Sequence, residues 1–366
     1  MRIAYFATQG SGSQDEERIR DLLGMLDARP LSFDRSARVR SCLAVIRAVR
    51  KRRPDLVVME GMGVAGGISV LVSRWLLGVP YAVSSGDAIA PFVRRRRPTL
   101  APIAGLYERV LCRYCAGYIG WSPYLTGRAL TFGAPRAMTA PNWAPPREHG
   151  AYGGEVRERL GIPADMVVFG IVGSLDWNSR VRYCYGLELL LALARVRRED
   201  IGVLIVGGGT GRERLEALVT ELALSNVYLP GAVARTDVSA HLDAIDVASL
   251  PQSVDGVGAF RFTTKLSEYL SARLPVVTGQ LPAAYDLDDG WLWRLPGDAP
   301  WHETYIAALA QLMNDLSRSQ IEDRRSRVPR SSDLFDFGRQ RRHVASFIED
   351  LIRREHRSSP ERRAEA

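Results

Sequence analysis

Residues 202–230 read GVLIVGGGTGRERLEALVTELALSNVYLP, and this stretch decides the fold class. Its opening apolar run does not alternate with polar residues, which is typical of a strand buried on both faces of a sheet. Glycines then lead into RERLEALVTELAL, which has the apolar spacing of an amphipathic helix, and the apolar run NVYLP follows. A strand, a helix and a second strand in this order predict one unit of a parallel sheet.

The same alternation extends in both directions along the chain. It begins with RIAYFAT (2–8) and DEERIRDLLGMLD (15–27), and a second series begins with MVVFGIVGS (166–174) and GLELLLALARVRR (186–198). Between the two series, residues 141–154 are rich in Pro and Gly, which is typical of a linker. We therefore predict an α/β protein with two Rossmann-like, doubly wound parallel-sheet domains that bind ligands at the carboxyl ends of their strands.

These features divide the 366 residues into segments. We expect an N-terminal domain over 1–140, the linker, a C-terminal domain over 155–335 and a helix over 336–355. The charged stretch 356–366 is expected to be a disordered tail.

Composition describes a globular chain with a basic bias. Apolar residues make up 46%, charged residues 25%, and the net charge is +8, which favours phosphates, nucleic acid or an anionic membrane as partners. No zinc-finger spacing, basic zipper or aromatic RNA-binding signature is present, so nucleic acid is not expected. Cys112 and Cys115 lack the second pair or the nearby His of a zinc site, and no metal site is expected. The start, MRIAYFATQGSG, predicts a strand rather than a signal peptide, so we expect a cytoplasmic protein.

Four consecutive arginines, Arg94 to Arg97 (Arg94, Arg95, Arg96 and Arg97), precede an apolar helix within residues 92–114. One interpretation is a solvated loop beside a core helix. The other is peripheral contact with the inner face of a membrane, because each basic residue near anionic lipid contributes about 1 kcal/mol.

Lysine is rare in this chain: Lys and Arg total 49, but only Lys51 and Lys265 are lysines. Lys265 is expected to open a helix with Thr264 as its N-cap, three residues before Glu268. An ammonium beside a helix N-terminus binds phosphate, and a carboxylate one turn later accepts hydrogen bonds from two hydroxyls. The pair would therefore bind a nucleoside diphosphate, with phosphate on Lys265 and ribose on Glu268. The alternative is an exposed ion pair worth about 0.3 kcal/mol, and Lys51 shows that a lysine can persist by chance.

The turn TQGSGSQDE (8–16) lies between a predicted strand and a predicted helix. Gly10, Ser11 and Gly12 could bring backbone N–H groups to an anion there. The dinucleotide pattern G-x-G-x-x-G is absent, because Asp15 occupies the position of the third glycine. A plain tight turn is the alternative.

The turn VGGGTGRERL (206–215) is the second candidate of this kind. It also fails the dinucleotide spacing, at Arg212, and it is not a P-loop, so a nicotinamide dehydrogenase is only a weak alternative. Gly207 and Gly208 suit either a phosphate or a close backbone approach.

Several of these stretches, taken in order, resemble a GT-B glycosyltransferase of the family-four, group 1 type, over nearly the full length of the chain. This resemblance implies two domains facing each other across a cleft, with the terminal helix crossing back to the first domain. It also implies transfer of a sugar from a nucleotide-sugar donor to a hydroxyl acceptor, usually with retention, without an essential metal or a cofactor. The similar stretches are PN (141–142), VGS with GLELLLAL, VLIVGGG, VYLPGAV, TTKLSEYLSARLPVV (263–277) and DFGRQRRHVASFIEDLI (336–352).

By matching position, the resemblance implies roles for individual residues. Glu268 would bind the ribose, and the backbone from Gly231 to Val233 would meet the base. Thr263 and Thr264 would open the donor-site helix. The Gly10–Gly12 loop would face the diphosphate and the acceptor.

Two cations of the family pattern are missing. The family places Arg after a first glycine and Lys before a later one, whereas here Ser174 follows Gly173 and Tyr185 takes the place of the lysine. Arg180 and Arg182 could replace these charges near the leaving diphosphate, as could the lysine of the donor-site helix.

Two further family positions differ. The second acid, eight residues before Glu268, is Phe260 here, and Asp255 is the nearest acid that could replace it. A His of the first domain is absent from SSGDAIA, where Asp87 is the candidate base or acceptor-binding group. Because the leaving phosphate of a retaining GT-B enzyme can take the acceptor proton, no strong side-chain base is required.

Several functions stay open at this point. Cell-surface polysaccharide or glycolipid assembly, with a saccharide or lipid-linked acceptor, is the first expectation, and natural-product glycosylation of a small-molecule hydroxyl is the second. A sugar-nucleotide epimerase would need acid and base groups, for which Asp87 and Asp255 are the candidates. The missing cations favour, as a non-enzymatic alternative, an inactive GT-B protein that only binds a nucleotide, a sugar or a partner.

Overall fold

The computed structural model describes residues 1–143 and 152–364. The stretch expected to be a linker, 141–154, falls mainly on residues 144–151, which lie outside the described residues. The chain divides into two compact units. The first consists of residues 1–143, 260–262 and 333–366, and the second of residues 144–259 and 263–332.

The first unit is built on a six-stranded parallel sheet. Its strands are β1 (Ile3–Ala7), β2 (Ala28–Pro30), β3 (Leu56–Glu60), β4 (Tyr81–Ser85), β5 (Gly117–Gly120) and β6 (Ala137–Thr139). They lie in the order β2-β1-β3-β4-β5-β6, so the direction in which the chain crosses the sheet reverses between β1 and β3. In a sheet of this kind the reversal opens a crevice at the carboxyl ends of the two strands.

Helices cover both faces of this sheet. Adjacent residues of a strand point to opposite faces, and neighbours such as Tyr5 and Phe6 are both buried, in two separate apolar clusters. Ser13 caps the first helix by accepting a hydrogen bond from the N–H of Glu16. The helices are α1 (Gln14–Leu22), α2 (Arg38–Arg52), α3 (Val64–Leu77), α4 (Ile89–Arg96), α5 (Ala101–Tyr114) and α6 (Pro123–Thr131), with a 3₁₀ turn at Pro98–Leu100.

The second unit has the same architecture. Its strands lie in the order β12-β11-β10-β7-β8-β9 and are all parallel, so the reversal falls between β7 and β10. The strands are β7 (Val167–Val172), β8 (Ile201–Val206), β9 (Val227–Gly231), β10 (Val247–Leu250), β11 (Val276–Gly279) and β12 (Leu292–Leu295). The helices are α7 (Tyr152–Leu160), α8 (Leu187–Leu193), α9 (Arg212–Glu221), α10 (Val238–Asp243), α11 (Thr264–Ser271), α12 (Pro282–Asp286), α13 (Glu303–Asp315) and α14 (Arg318–Arg327).

The last helix, α15 (Phe337–Ala364), belongs to the first unit. Its apolar side chains Val344 and Ile348 share a buried cluster with Ile19 of α1. The helix continues to Ala364 through the stretch 356–366, where we expected a disordered tail. Arg, Glu and Ala, which are good helix formers, make up most of that stretch.

The prediction of an α/β protein with two Rossmann-like parallel sheets is confirmed. Across residues 1–143 and 152–364, no helix combines the length and the apolar character that crossing a membrane requires.

Candidate functional site

In the second unit, the turns that follow β7, β8 and β9 are bonded side by side. The N–H of Gly173 donates to Val206 O at 2.9 Å, and the N–H of Gly207 donates to Gly231 O at 2.9 Å. A Cβ on Gly207 would lie 1.8 Å from Gly173 O, so only glycine permits this approach. Of the two interpretations of the 206–215 turn, the structure shows the close backbone approach, and the Gly207 amide is not available to a phosphate.

The rest of this turn is bonded in the same way. Gly208 O accepts a hydrogen bond from the N–H of Leu175 at 2.8 Å, and the N–H of Gly211 donates to Leu175 O at 2.8 Å. The N–H of Thr210 donates to Asp176 Oδ1. These bonds make the turn a support for the Gly173 turn, and a phosphate contact at Gly208 stays a prediction.

Lys265 lies against this support, beside the point where the strand order reverses. Its side chain is only 9% exposed. Its Nζ lies 4.6 Å from the centre of the Tyr185 ring, and a Cβ on Gly173 would lie 2.4 Å from Nζ. Gln252 holds the ring by donating to Tyr185 Oη at 3.1 Å. The alternative of an exposed ion pair is wrong, because Lys265 is buried.

No carboxylate within the described residues forms a salt bridge with Lys265. A buried ammonium without a partner is costly, and its attraction to a ring face offsets only part of that cost. The position is therefore suited to an anionic ligand.

The helix that carries Lys265 begins one residue earlier than we predicted. Thr263, not Thr264, is the N-cap, because its φ of −81° and ψ of 154° are extended and α11 starts at Thr264. The side chain of Thr263 makes no capping bond, and its buried Oγ1 has no partner in the part of the chain that the structure describes. No side chain therefore caps the first turn of α11.

Glu268 follows Lys265 by one turn and is half-buried. Burial raises the pKa of its carboxyl group, and attraction first from Lys265 and then from Arg235 opposes that rise. Within the described residues its side chain accepts no hydrogen bond. The carboxylate is thus able to accept hydrogen bonds from hydroxyls of a ligand.

A fully buried carboxylate, Glu188, lies under this site. It accepts hydrogen bonds from Tyr183 Oη at 2.8 Å, Ser249 Oγ at 2.9 Å and the N–H of Gly186 at 3.1 Å. Burial raises its pKa, and these bonds oppose the rise. We did not predict this network, although an acid inside the apolar run GLELLLAL is a signal that could have found it. Its bonds fix the turn that presents Tyr185.

The two arginines predicted to replace the missing cations lie in the segment between β7 and α8, which also carries Tyr185. Arg180 and Arg182 are exposed, on a hairpin closed by a bridge between Asn178 and Tyr183. The hydroxyl of Ser174 donates to Asp176 Oδ2 at 2.7 Å. A role for the two arginines stays a prediction.

Two further predicted donor contacts, Gly231 and Val233, lie at the end of β9 and would involve the backbone. Gly231 has a φ of 91°, and a Cβ there would lie 2.1 Å from Arg212 Nη1, so Gly231 fits closely under that guanidinium. Val233 is half-buried just beyond the strand end. Their contact with a base stays a prediction.

Asp255 organises its own loop. Its Oδ1 accepts hydrogen bonds from Ser253 Oγ at 3.1 Å and from the N–H groups of Val257 at 2.9 Å and Gly258 at 3.0 Å. This oxygen is occupied, which weakens the prediction that Asp255 replaces the family's second acid.

In the first unit, an ion pair fills the corresponding position at the reversal of strand order. Arg18 Nη1 lies 2.8 Å from Glu60 Oε2, and their side chains are 5% and 0% exposed. Ser84 Oγ accepts from Arg18 at 3.1 Å, and Trp121 Nε1 donates to Glu60 at 3.1 Å. Burial lowers the pKa of Arg18 and raises that of Glu60, and each charge opposes the shift of the other. We did not predict this pair, although an acid that ends the apolar run DLVVME is its signal.

The amides of the Gly10–Gly12 loop are already bonded. The N–H of Gly10 donates to Ala7 O at 3.1 Å, and that of Ser11 to Phe33 O at 2.8 Å. The N–H of Gly12 donates to Glu16 Oε2 at 2.6 Å. A carboxylate of the chain itself therefore takes the place where we expected a phosphate, and this geometry argues against that prediction.

Asp87, the predicted base, is in an ion pair. Its Oδ1 lies 2.5 Å from Arg261 Nε, in the segment 260–262 that packs within the first unit. This pairing favours a structural role for Asp87 over that of a free base.

Clusters of metal-ligand type are absent from the described residues. Cys112 and Cys115 are buried in the core of the first unit, and burial raises the pKa of Cys112 to about 12. Both thiols are therefore unreactive core residues.

The fold and this site together define the class of protein. Residues 167–315, which form most of the second unit, match the family of glycosyl transferases group 1. The match is to that segment of the chain, and with the fold it confirms the prediction of a GT-B glycosyltransferase.

Solved structures of similar fold are numerous. Anabaena Alr3699/HepE in complex with UDP superimposes with a TM-score of 0.72 at 16% identity, covering 96% of this chain and 100% of that one. Sucrose-phosphate synthase from Thermosynechococcus elongatus gives a TM-score of 0.70 at 15% identity, with 96% and 99% covered. A structure described as trehalose-6-phosphate from E. coli bound with UDP-2-fluoro glucose gives 0.65 at 12% identity, with 96% and 99% covered. A search of curated proteins finds no significant match. At these identities the likeness establishes the fold.

Proposed function

We propose that this glycosyltransferase binds a nucleotide-sugar donor in its second unit and transfers the sugar to a hydroxyl acceptor, with retention and without a metal. One observation carries the proposal: Lys265 is buried at the reversal of strand order, and no carboxylate of the described residues forms a salt bridge with it. In this arrangement the donor diphosphate lies against Lys265, and the ribose hydroxyls donate to Glu268. Similar folds have been solved with UDP and UDP-glucose, which makes UDP-sugars the first donors to test.

The chemistry follows from this arrangement. The bond from the anomeric carbon to the donor phosphate breaks, and its electron pair goes to the phosphate oxygen. The acceptor oxygen forms the new bond to the same carbon, and its proton passes to the leaving phosphate. Lys265 is fixed before the reaction begins, so its charge stabilises the leaving group without reorganisation. Transfer of the proton to the phosphate requires no side-chain base, and the two candidate bases, Asp87 and Asp255, are each engaged in other contacts.

The setting of the reaction is the assembly of a cell-surface polysaccharide or glycolipid in the cytoplasm, on a saccharide or lipid-linked acceptor. This part rests on analogy with the family, which is a weak guide to substrate. Natural-product glycosylation is the alternative, and acceptor screening separates the two.

A non-enzymatic function is the second candidate, and the absence of the family's two cations at Ser174 and Tyr185 favours it. A protein of this kind would bind a nucleotide without turning it over. Release of free nucleotide from a nucleotide sugar, with and without acceptor mixtures, distinguishes the two functions.

The test of donor binding is a thermal-shift screen of UDP-, GDP-, dTDP- and CDP-sugars. A ligand at one hundred times its Kd stabilises a protein by about 2.7 kcal/mol, which is a clear shift. We expect one base to stabilise the wild type and to lose most of its effect in Glu268→Ala. Glu213→Ala, an exposed acid of the same unit, is the matched control. Equal stabilisation of wild type and Glu268→Ala would reject the site.

A further inference from the structure

The positive charge of the chain is concentrated on one part of the first unit. Residues 38–114, from the start of α2 to the end of α5, contain 14 Arg and Lys and 4 Asp and Glu, a net charge of +10, against +8 for the whole chain. Two of the four acids are buried and paired, Glu60 with Arg18 and Glu108 with Arg128. The surface of these helices is therefore more basic than the sequence count indicates.

The exposed apolar side chains are concentrated on the same helices. Of the 16 large apolar residues that are exposed in the described structure, 11 lie within residues 38–114. Ile103 and Leu106 are 66% and 63% exposed, and their spacing places them on one face of α5. Isolated exposed apolar residues are ordinary, but a concentration of this kind marks an interaction site.

Contacts join these residues into one surface. Trp75 of α3 meets Tyr114 of α5 edge to face, with ring centres 5.5 Å apart. α4 packs along α5, because the buried carboxylate of Glu108 accepts a hydrogen bond from the N–H of Ala90. We call the exposed side chains of Trp75, Phe92, Ile103, Leu106, Tyr114 and Arg94–Arg97 the basic-apolar surface.

We propose that the basic-apolar surface binds the headgroup region of an anionic lipid bilayer. Apolar and aromatic side chains enter the boundary between headgroups and acyl chains, while arginines pair with lipid phosphates and can extend along their apolar stems. Arg96 already lies over the Phe92 ring at 4.6 Å, so a basic and an apolar group are presented together. The charge makes a second copy a poor occupant, because a two-fold contact would place the same positive surface on both sides. The exposed apolar residues do not suit a nucleic-acid backbone.

A lipid-linked acceptor would be held at such a bilayer, so this proposal rests on the function proposed above and extends it. Its test does not depend on turnover. The experiment is co-sedimentation of the full chain, without nucleotide, with vesicles of phosphatidylcholine alone and with vesicles of phosphatidylcholine and phosphatidylglycerol in equal parts. We expect binding only to the second kind, with affinity that falls as salt rises. Failure of donor binding would be measured separately, without lipid.

Two variants test the two components of the surface. Arg94→Gln, Arg95→Gln, Arg96→Gln and Arg97→Gln combined should weaken binding by roughly 600-fold, since each basic residue contributes about fivefold. Ile103→Ser with Leu106→Ser should weaken it at least about tenfold through lost apolar contact. Tyr285→Ser, at a residue of the second unit that is 55% exposed, should bind like the wild type, and melting temperatures confirm that each variant folds.

Four results would overturn the proposal. The first is no binding to the anionic vesicles. The second is equal binding to vesicles of phosphatidylcholine alone. The third is binding that the Ile103→Ser and Leu106→Ser changes leave intact, because adsorption by charge alone does not use this face. Sedimentation equilibrium that shows a dimer dissolved by these same changes would assign the surface to self-association instead.

Discussion

The two units place different groups at the same topological position. Each has a six-stranded parallel sheet whose strand order reverses once, between β1 and β3 in the first and between β7 and β10 in the second. In the first unit the crevice holds the buried pair of Arg18 and Glu60, completed by Ser84 and Trp121. In the second unit it holds Lys265, which has an aromatic ring beside it but no salt bridge to a carboxylate of residues 1–143 or 152–364.

The protein itself supplies the opposite charge in the first crevice, whereas the second crevice is suited to an anionic ligand. The two charges of the first crevice pair with each other, and Glu16 also accepts a hydrogen bond from the Gly12 amide. The second crevice contains the buried charge of Lys265 and, at Glu268, a carboxylate that accepts no hydrogen bond from the part of the chain that the structure describes. Identical folds therefore do not imply identical use, and the unpaired charge is the better guide to the donor site.

The largest effect that we expect comes from removing one member of the ion pair in the first unit. Glu60→Ala should lower the free energy of unfolding by about 3–5 kcal/mol, because it leaves Arg18 buried and unpaired. Glu268→Ala should change it by less than about 1 kcal/mol, because within the described residues the Glu268 carboxylate accepts no hydrogen bond. Urea denaturation of both variants measures this. Equal losses would remove the distinction between the two crevices.

Removing the charge from the second crevice should act on the reaction rather than on the fold. Lys265→Met should lower kcat/KM for the donor by roughly 10²–10³-fold, the scale of losing one preorganised charge at a leaving group. Lys265→Arg should not retain activity, because Lys265 Nζ already lies so close to Gly173 that a Cβ there would be 2.4 Å from it, and a guanidinium is larger than an ammonium. Steady-state kinetics test this, and Lys51→Met is the matched control. Full activity of Lys265→Met would show that the lysine has no catalytic part.

Glycine substitutions in one strand–helix turn of each unit should differ in their cost in stability, and the difference should be smaller than the effects above. Gly207→Ala should cost roughly 2–3 kcal/mol, because the new Cβ would meet Gly173 O at 1.8 Å. Gly12→Ala should cost about 1 kcal/mol, from its φ of +80° alone, since nothing lies within 4 Å. Thermal unfolding measures both. A reversed order would contradict the close packing of the turns in the second unit.

The smallest effect concerns pH. Burial raises the pKa of Glu268, so its carboxyl group is partly protonated at pH values where an exposed glutamate is ionised. Protonation removes acceptor capacity for ribose hydroxyls, so donor affinity should rise, by up to about tenfold, as pH rises through that raised pKa. Calorimetric titration of the nucleotide across this range tests the sign. In Glu268→Gln this rise should disappear; if it persists, another group is responsible.

The sequence predicts the architecture well, because buried parallel strands are continuous apolar runs, which can be recognised without knowledge of tertiary contacts. It also locates Lys265 and Glu268, one turn apart on a helix that begins only one residue earlier than predicted. Side-chain spacing along one helix is a local property, and local properties can be read from sequence.

The remainder of the site depends on contacts between distant parts of the chain. The burial of Lys265 requires Gly173 and Tyr185 on other elements. The sequence of the 8–16 turn suits an anion, but it does not show that Glu16 accepts a hydrogen bond from the Gly12 amide. Arg18 and Glu60 are 42 residues apart, so neither predicts the other. We predicted that Asp87 and Asp255 act on the substrate because the sequence does not show their partners within the protein.

The central claim is that the donor phosphate meets the buried charge of the second unit, and a crystal structure of the full chain with UDP tests it most directly. In that structure a phosphate oxygen should lie within about 4 Å of Lys265 Nζ, and a ribose hydroxyl should donate a hydrogen bond to the Glu268 carboxylate. Phosphate bound at Gly10–Gly12, with Lys265 still against the Tyr185 ring and free of ligand, would contradict it.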